Sequence, residues 1–450
     1  MMTRVLADDA REVTDRTAAL LPPSPTTLEA TGLNQDLFVQ LILKQLHFSG
    51  ELTGIELARR LGVEFSVIDP ALDFIKRLHQ CEIVGGAGIG GPTFRYRITD
   101  SGRQRAMLFL ESNQYVGVAP VPLRQYVAYL EAYRNAVPRS ITRTRVRQAF
   151  SHLVLSDRVL DQVGPAIGAA HSMFVYGPPG NGKTVIAQAI RGLLDGELAV
   201  PHALEVEGNI IRLFDPVNHE PLESPATTAS LGLSREAGHD RRWVRCKRPL
   251  VMVGGELTLE SLELSYSKTT GFYTAPIQAV SNGGVLVIDD FGRQRVSARE
   301  LLNRWIVPLE SRVDFLTLNN GQKFELPFLL LVVFATNIRP SELVDEAFLR
   351  RIHYKVFCES PTIADFKEIF AKCCAERRIE YDEALIDELL QTYYRPRKLA
   401  LRGCHPRDLL DQALAQASYL GEERRLTSEL LEAACASYFV DDSEPAPVFV

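Results

Sequence analysis

The run Phe174-Val-Tyr-Gly-Pro-Pro-Gly-Asn-Gly-Lys-Thr184 joins a short apolar stretch to three closely spaced glycines, a lysine and a threonine. Gly177, Gly180 and Gly182 allow the backbone to turn tightly, with Pro178, Pro179 and Asn181 filling the loop, so that amide groups converge on a polyanion. Lys183, Thr184 and Val185 then open a helical run; the lysine suits β and γ phosphates, and the threonine hydroxyl suits a magnesium ion. Farther along, Gly284-Val-Leu-Val-Ile-Asp-Asp-Phe291 reads as a buried strand ending in two carboxylates. An apolar strand covered on both faces presents its carboxyl end to ligands in a parallel sheet. Asp289 there suits the magnesium shell, and Asp290 suits the orientation or deprotonation of an attacking water. Two acids ending a strand at a plain turn is the competing interpretation.

A third apolar strand, Leu329 to Ala335, ends in Thr336-Asn337, and Glu346-Ala-Phe-Leu-Arg-Arg-Ile352 and Cys404-His-Pro-Arg-Asp408 follow it. With these segments in this order, the chain from about Leu155 to Val440 resembles the AAA+ ATPases. The resemblance implies ATP and Mg²⁺ as cofactors, Asn337 as the sensor 1 residue, Arg351 or else Arg350 as an arginine finger acting on a neighbouring subunit, and Arg407 as the sensor 2 residue. It also implies a homo-oligomeric ring, a hexamer in the first instance, that hydrolyses ATP to remodel a macromolecular partner. Most members carry Asp-Glu where this chain has Asp289-Asp290, which implies slower hydrolysis; AAA+ replication initiators and helicase loaders share the Asp-Asp pair. Asp314 to Leu326 reads as a hairpin turning at Asn320-Gly321, and Gly271 to Ala275 is similar to a substrate-touching loop.

These groups need elements to hold them, and the pattern supplies an α/β class. It predicts a mainly parallel, helix-covered core over 155–360, a C-terminal helical lid over 361–440 and a tail over 441–450. Residues 1–33, with Leu20-Leu-Pro-Pro-Ser-Pro25, read as a flexible arm. From Gln35 the spacing predicts three helices followed by two strands joined by a glycine-rich turn at 86–92, which resembles a winged helix-turn-helix domain over 34–122; a helical linker over 123–154 follows. The third helix offers Glu64, Ser66, Asp69 and Asp73, whose carboxylates are repelled by phosphates, with only Lys76 and Arg77 farther along to help, while the wing offers Arg95 and Arg97. Protein docking and DNA contact both remain open on these residues, so an ATP-switched DNA-binding protein is the alternative function.

At 450 residues, 46% hydrophobic content and a net charge of −6, the chain can bury several cores and carries no global field for nucleic acid. Its longest apolar run is too short to span a bilayer, and its seven unpatterned cysteines point to reduced thiols and a cytoplasmic location. The most basic run, Asp240-Arg-Arg-Trp-Val-Arg-Cys-Lys-Arg248, suits either base stacking and phosphate binding on a single strand or a solvated strand edge or subunit contact.

Overall fold

The computed structural model describes residues 12–86, 90–137, 141–170, 172–222 and 238–439. The tail at 441–450, the first eleven residues of the arm and positions 87–89 of the glycine-rich turn lie outside the described residues. Two compact units emerge: Met1–Arg139 with Leu194–Ile288 and Arg293–Val332, and Ser140–Leu193 with Asp289–Gly292 and Val333–Val450.

After helical residues 12–18 and the short helix Leu28–Thr31, the first unit continues with α1 (Gln35–Ser49), β1 (Glu51–Thr53), α2 (Gly54–Leu61), α3 (Phe65–Arg77), β2 (Cys81–Gly86) and β3 (Phe94–Ile98), the strands pairing in the order β1-β3-β2. Helix ends are set by local chemistry. Asn34 caps α1, Thr53 and Glu56 close a reciprocal capping box on α2, and Gly62 ends it in the left-handed region at φ 68°. Phe38, Leu41, Ile42, Leu57, Ile68, Leu72 and Tyr96 fill the core between them. Two further helices, α4 (Asp100–Ser112) and α5 (Leu123–Ala136), continue the unit, with the two-residue β4 (Val121–Pro122) between them.

In the second unit α6 (Arg143–Ala149) and α7 (Asp157–Gly168) precede β5 (Met173–Tyr176) and α8 (Lys183–Ala189). The chain then supplies a run of short strands to the first unit, where helix-strand alternation was expected. Strands β6 (Glu197–Pro201), β7 (Ala203–Val206), β8 (Asn209–Arg212), β9 (Trp243–Lys247), β10 (Leu250–Val253), β11 (Ser265–Ser267) and β12 (Phe272–Thr274) follow with no intervening α-helix among the described residues. β6 pairs antiparallel with β9, and β11-β12-β8-β7-β4 form a mixed sheet. The reason is burial. Ala203 and Ile210 complete the core of the N-terminal helices, while Leu198, Val200, Trp243 and Cys246 pack against Tyr126, Tyr129 and Tyr133 of α5. Gly271 to Ala275, expected as a loop, is largely strand β12 with Tyr273 buried.

A short helix α9 (Ile277–Val280) leads to β13 (Val285–Ile288); α10 (Ala298–Arg304) and α11 (Ile306–Ser311) lead to the hairpin β14 (Val313–Thr317) and β15 (Lys323–Pro327). The hairpin turns at Gly321, φ 84°, as the Asn-Gly pair predicts. After β16 (Leu331–Thr336) come α12 (Glu346–Leu349) and β17 (Tyr354–Phe357). The resulting sheet has the order β10-β13-β16-β5-β17, with Val251 opposite Leu286, Val333 opposite Met173 and Lys355 opposite Phe174 in parallel register. Its strands are nearly all apolar, the mark of a sheet covered on both faces. The C-terminal region is helical: α13 (Ile363–Arg377), α14 (Glu383–Leu389), α15 (His405–Leu420) and α16 (Ser428–Tyr438) enclose Phe366, Phe370, Ile386, Leu409 and Leu431.

Residues 12–33 depart from the expected flexible arm. Residues 12–18 are helical, Thr17 and Thr31 are fully buried, and Thr17 Oγ1 accepts the Glu197 amide at 3.0 Å. Burial of polar threonines with their hydrogen bonds satisfied outweighs the proline-rich composition. The seven cysteines are all free thiols, and no described helix is long and apolar enough to cross a membrane.

Candidate nucleotide site

Every residue of the site lies in the second unit. The apolar residues of β5 anchor the loop, with Phe174 packed against Phe291 and Phe334 at ring distances of 5.9 and 5.2 Å. The loop leaves no room for side chains at two positions. A Cβ on Gly177, φ 144°, would lie 2.3 Å from the Cys358 carbonyl oxygen, and one on Gly180, φ 78°, would lie 2.6 Å from Cys404 Sγ. The cradle is therefore shaped by backbone and walled by Cys358 and Cys404.

Lys183 donates from Nζ to the carbonyl oxygens of Gly177 at 3.1 Å and Pro178 at 2.9 Å. Burial pushes its ammonium below the usual lysine range, against the attraction of Cys358, Asp289 and Asp290. Thr184 Oγ1 donates to Asp289 Oδ2 at 2.8 Å. Asp290 sits in the left-handed region at φ 49°, a strained setting for a non-glycine residue, with its amide donating to Asp289 Oδ1 at 3.0 Å. Asn337, at the end of β16, donates from Nδ2 to Asp290 Oδ1 at 3.1 Å, and its buried Oδ1 has no partner among the described residues. Thr336 fixes this end of the strand, donating from Oγ1 to the Phe291 carbonyl at 2.7 Å, while the Phe291 amide donates to Ala335. Cation, hydroxyl, two carboxylates and an amide are thus brought together as the sequence places them.

Val185 lies within the first turn of α8, behind Thr184. Pro178, Pro179 and Asn181 line the loop. Asn181 Nδ2 donates to Ser360 Oγ at 3.4 Å, and its Oδ1 accepts the Gly403 amide at 3.3 Å. Arg350 is exposed at the end of α12, and Arg351 is half-buried with its guanidinium 5.5 Å from the centre of the Phe348 ring.

At the lid the structure departs from expectation. Arg407 directs Nε and Nη2 to the adjacent Asp408 Oδ1 at 2.9 and 2.8 Å, and Tyr438 Oη donates to the other oxygen of that carboxylate at 3.1 Å. The lid cation on the phosphate loop is Arg402, whose Nη1 donates to the Pro179 carbonyl at 2.6 Å. The Cys404 amide adds a bond to the Gly180 carbonyl at 2.8 Å. Sequence reasoning missed Arg402; the available signal was an Arg-Gly pair immediately before the helix that carries Arg407.

A hydroxyl and a carboxylate 2.8 Å apart beside a cation-bearing loop fit a hydrated magnesium ion, because hard cations of this kind take few protein oxygens and keep water. The arrangement as a whole can bind a polyphosphate and place an oxygen nucleophile against it.

Residues 159–231 match the family model described as magnesium chelatase, subunit ChlI, and residues 362–437 match a domain of unknown function (DUF8689). No curated protein sequence matches the chain significantly. Among solved structures, the Thermotoga maritima RuvB Holliday junction branch migration motor aligns at 14% identity over 68% of this chain and 74% of its own, with a TM-score of 0.35. NtrX from Brucella abortus in complex with ATP aligns at 15% identity over 71% and 63%, with a TM-score of 0.36. The complex of magnesium chelatase subunits BchI and BchD aligns at 17% identity over 64% and 93%, with a TM-score of 0.33.

Proposed function

We propose that this chain, whose nucleotide site is that of an AAA+ P-loop NTPase, binds and hydrolyses ATP as a homo-oligomeric ring and uses the cycle to remodel a protein partner. The observation that carries the reading is the Thr184–Asp289 pair at 2.8 Å, flanked by Lys183 on the cradle and by Asn337 on Asp290. Lys183 exchanges its two carbonyl partners for phosphate oxygens. Magnesium would be held by Thr184 and Asp289; bound there it neutralises charge on the phosphates. Asp290 takes the proton of the attacking water while Asn337 fixes its carboxylate. Arg351, with Arg350 as the alternative, serves the site of an adjoining subunit, and Arg402 joins Arg407 in the lid. Hydrolysis in the cytoplasm, by a hexamer, completes the reading.

The N-terminal helices and three-strand sheet have the order of a winged helix, and we assign them to protein docking. Arg95 Nη1 and Arg97 Nη2 both bond Glu51, at 2.9 and 3.0 Å, and hydrogen bonds from Arg97 and Arg95 hold that carboxyl below the usual range. Ser66 donates to the Thr26 carbonyl at 2.7 Å, and Lys76 pairs with Asp73 at 2.6 Å. Arg95, Arg97 and Lys76 thus already have acidic partners, and no observation favours the DNA-switched alternative.

Steady-state ATP turnover tests the reading. Lys183→Ala is expected to lower it by about a hundredfold or more, and Arg351→Ala by roughly a thousandfold, with partial recovery on mixing with Lys183→Ala subunits. Failure of the folded wild type to take up ATP or ADP with magnesium in calorimetry would end the nucleotide reading. Full turnover in Arg351→Ala would end the shared-site part alone.

A further inference from the structure

The first unit contains a cavity of about 770 Å³ that plays no part in nucleotide chemistry, lined by residues 115–118, by the chain leaving β8 and by the segment from β12 through α9. Its floor is a locked turn. Asp215 Oδ1 accepts the Val217 amide at 3.0 Å, its Oδ2 accepts Asn218 Nδ2 at 2.6 Å, and its own amide donates to His219 Nδ1 at 3.0 Å. His219 Nε2 in turn meets the Val280 carbonyl at 2.9 Å. Within the 115–118 segment of the lining, Tyr115 Oη donates to the Val118 carbonyl at 2.7 Å. The walls are held by hydrogen bonds independent of any ligand, so the space is pre-formed, and its volume is that of small-molecule sites.

The lining is chemically selective. Val116, Val118, Leu213, Phe214, Ile277 and Val280 make it largely apolar. Arg212 and His202 also line it, and the side chain of neither has a hydrogen-bond or ion-pair partner among the described residues. Arg212 is exposed to solvent, whereas Arg95, Arg97, Arg242, Arg245 and Arg304 of the same unit each face a carboxylate. The register of Arg212 is fixed by pairing of β8 with β12, opposite Thr274, and its carbonyl accepts the Ala275 amide at 2.9 Å. The His202 ring packs on Phe214 at 5.5 Å, and burial lowers its pKa, which leaves a neutral imidazole with one donor and one acceptor near pH 7. A solvent-exposed guanidinium beside this apolar lining, with the Asp215 carboxylate already engaged by the Val217 amide and Asn218, is matched by a ligand that brings one negative charge on an apolar body.

We propose that this cavity is a second small-molecule site that takes a compact organic acid, its anionic group on Arg212, a hydrogen bond to His202 and its apolar body against Phe214 and Val118. The full-length protein is titrated with 8-anilinonaphthalene-1-sulfonate, an aromatic anion whose fluorescence reports burial. One saturable equivalent is expected. Arg212→Gln should weaken it about tenfold or more, the loss of one charge-assisted bond, and Val118→Trp, which fills the space, should remove it; Arg95→Gln should change nothing. Displacement by 4-phenylbutyrate should need about a tenth of the concentration of the uncharged 4-phenylbutanol, for the same reason. Nucleotide binding by each variant, followed with a fluorescent ADP, reports that it is folded and is read separately from the cavity. No saturable equivalent in the wild type, or equal binding by wild type, Arg212→Gln and Val118→Trp, overturns the site; equal displacement by acid and alcohol overturns the anionic ligand.

Discussion

The wing and basic strand of the first unit and the phosphate loop of the second differ in what most of their cations touch. In the second, Lys183 rests on the carbonyls of Gly177 and Pro178 and Arg402 rests on that of Pro179, all neutral acceptors that a phosphate can replace with stronger, charge-assisted bonds. In the first, Arg95 and Arg97 share Glu51, Arg242 pairs with Asp240 and Arg245 with Glu197. Those cations are already neutralised, and a phosphate would have to displace a carboxylate. The partner of a cation therefore marks an anion site better than the density of basic residues does. The run Asp240 to Arg248 illustrates it: Trp243 is buried, Arg242 is 2% exposed, Lys247 pairs with Glu220, and Arg248 Nε donates to the Gly283 carbonyl at 2.6 Å. It is a structural strand, and of the two sequence interpretations the nucleic-acid one is set aside.

The contrast can be broken most sharply at Arg242. Arg242→Leu leaves Asp240 buried without its ion partner and is expected to cost about 3–5 kcal/mol in denaturant unfolding; Asp240→Asn combined with Arg242→Met should restore part of the loss. A cost below about 1 kcal/mol would mean that the pair behaves as an exposed one. In the second unit, Arg402→Ala should raise the Kd for ATP by about tenfold, the scale of one charge-assisted bond, and more than Arg407→Ala does. The reverse ranking would return the lid role to Arg407.

Acid sensitivity sharpens the picture of the lid. Burial lowers the pKa of His405 to about 4, while the unfolded chain titrates near 6.5, so the unfolded state takes the proton first as pH falls. Stability contributed by the neutral ring is complete above about pH 6.5 and declines from there to about pH 4. A flatter acid limb in His405→Gln, followed by thermal unfolding across that window, is the expected result. The smallest effect belongs to the wing: Arg95→Gln with Arg97→Gln should leave duplex DNA affinity unchanged at low and moderate salt. A drop in affinity that weakens with added salt would show those arginines reaching phosphates despite Glu51.

The site was legible because its parts are local. Four to six apolar residues followed by a glycine loop, by Asp289-Asp290 or by Thr336-Asn337 fix both the strand and the group at its end, and the structure joins Thr184 to Asp289 and Asn337 to Asp290. What was hidden depends on partners distant in the chain. The arm at 12–33 is ordered through Thr17 on Glu197 and through the Arg242 bond to the Thr31 carbonyl, neither of which leaves a periodic trace. The strand run from β6 to β12 is built of strands of three to five residues, too short to outweigh the expectation of alternating helices set by the phosphate loop. Arg402 and Arg407 are equally basic on paper; only the placement of Asp408 separates them.

Arg242 reaches four places at once: Asp240, the carbonyls of Thr31 and Pro120, and Gln125 Oε1 at 3.3 Å. Pro120 lies on the segment between α4 and α5, where a sequence would invite a swivel between the N-terminal helices and the strands that follow. A guanidinium that grips both sides acts as a rivet through that joint. The guanidinium thereby ties residue 31 of the arm, the α4–α5 segment and the chain entering β9 to one another.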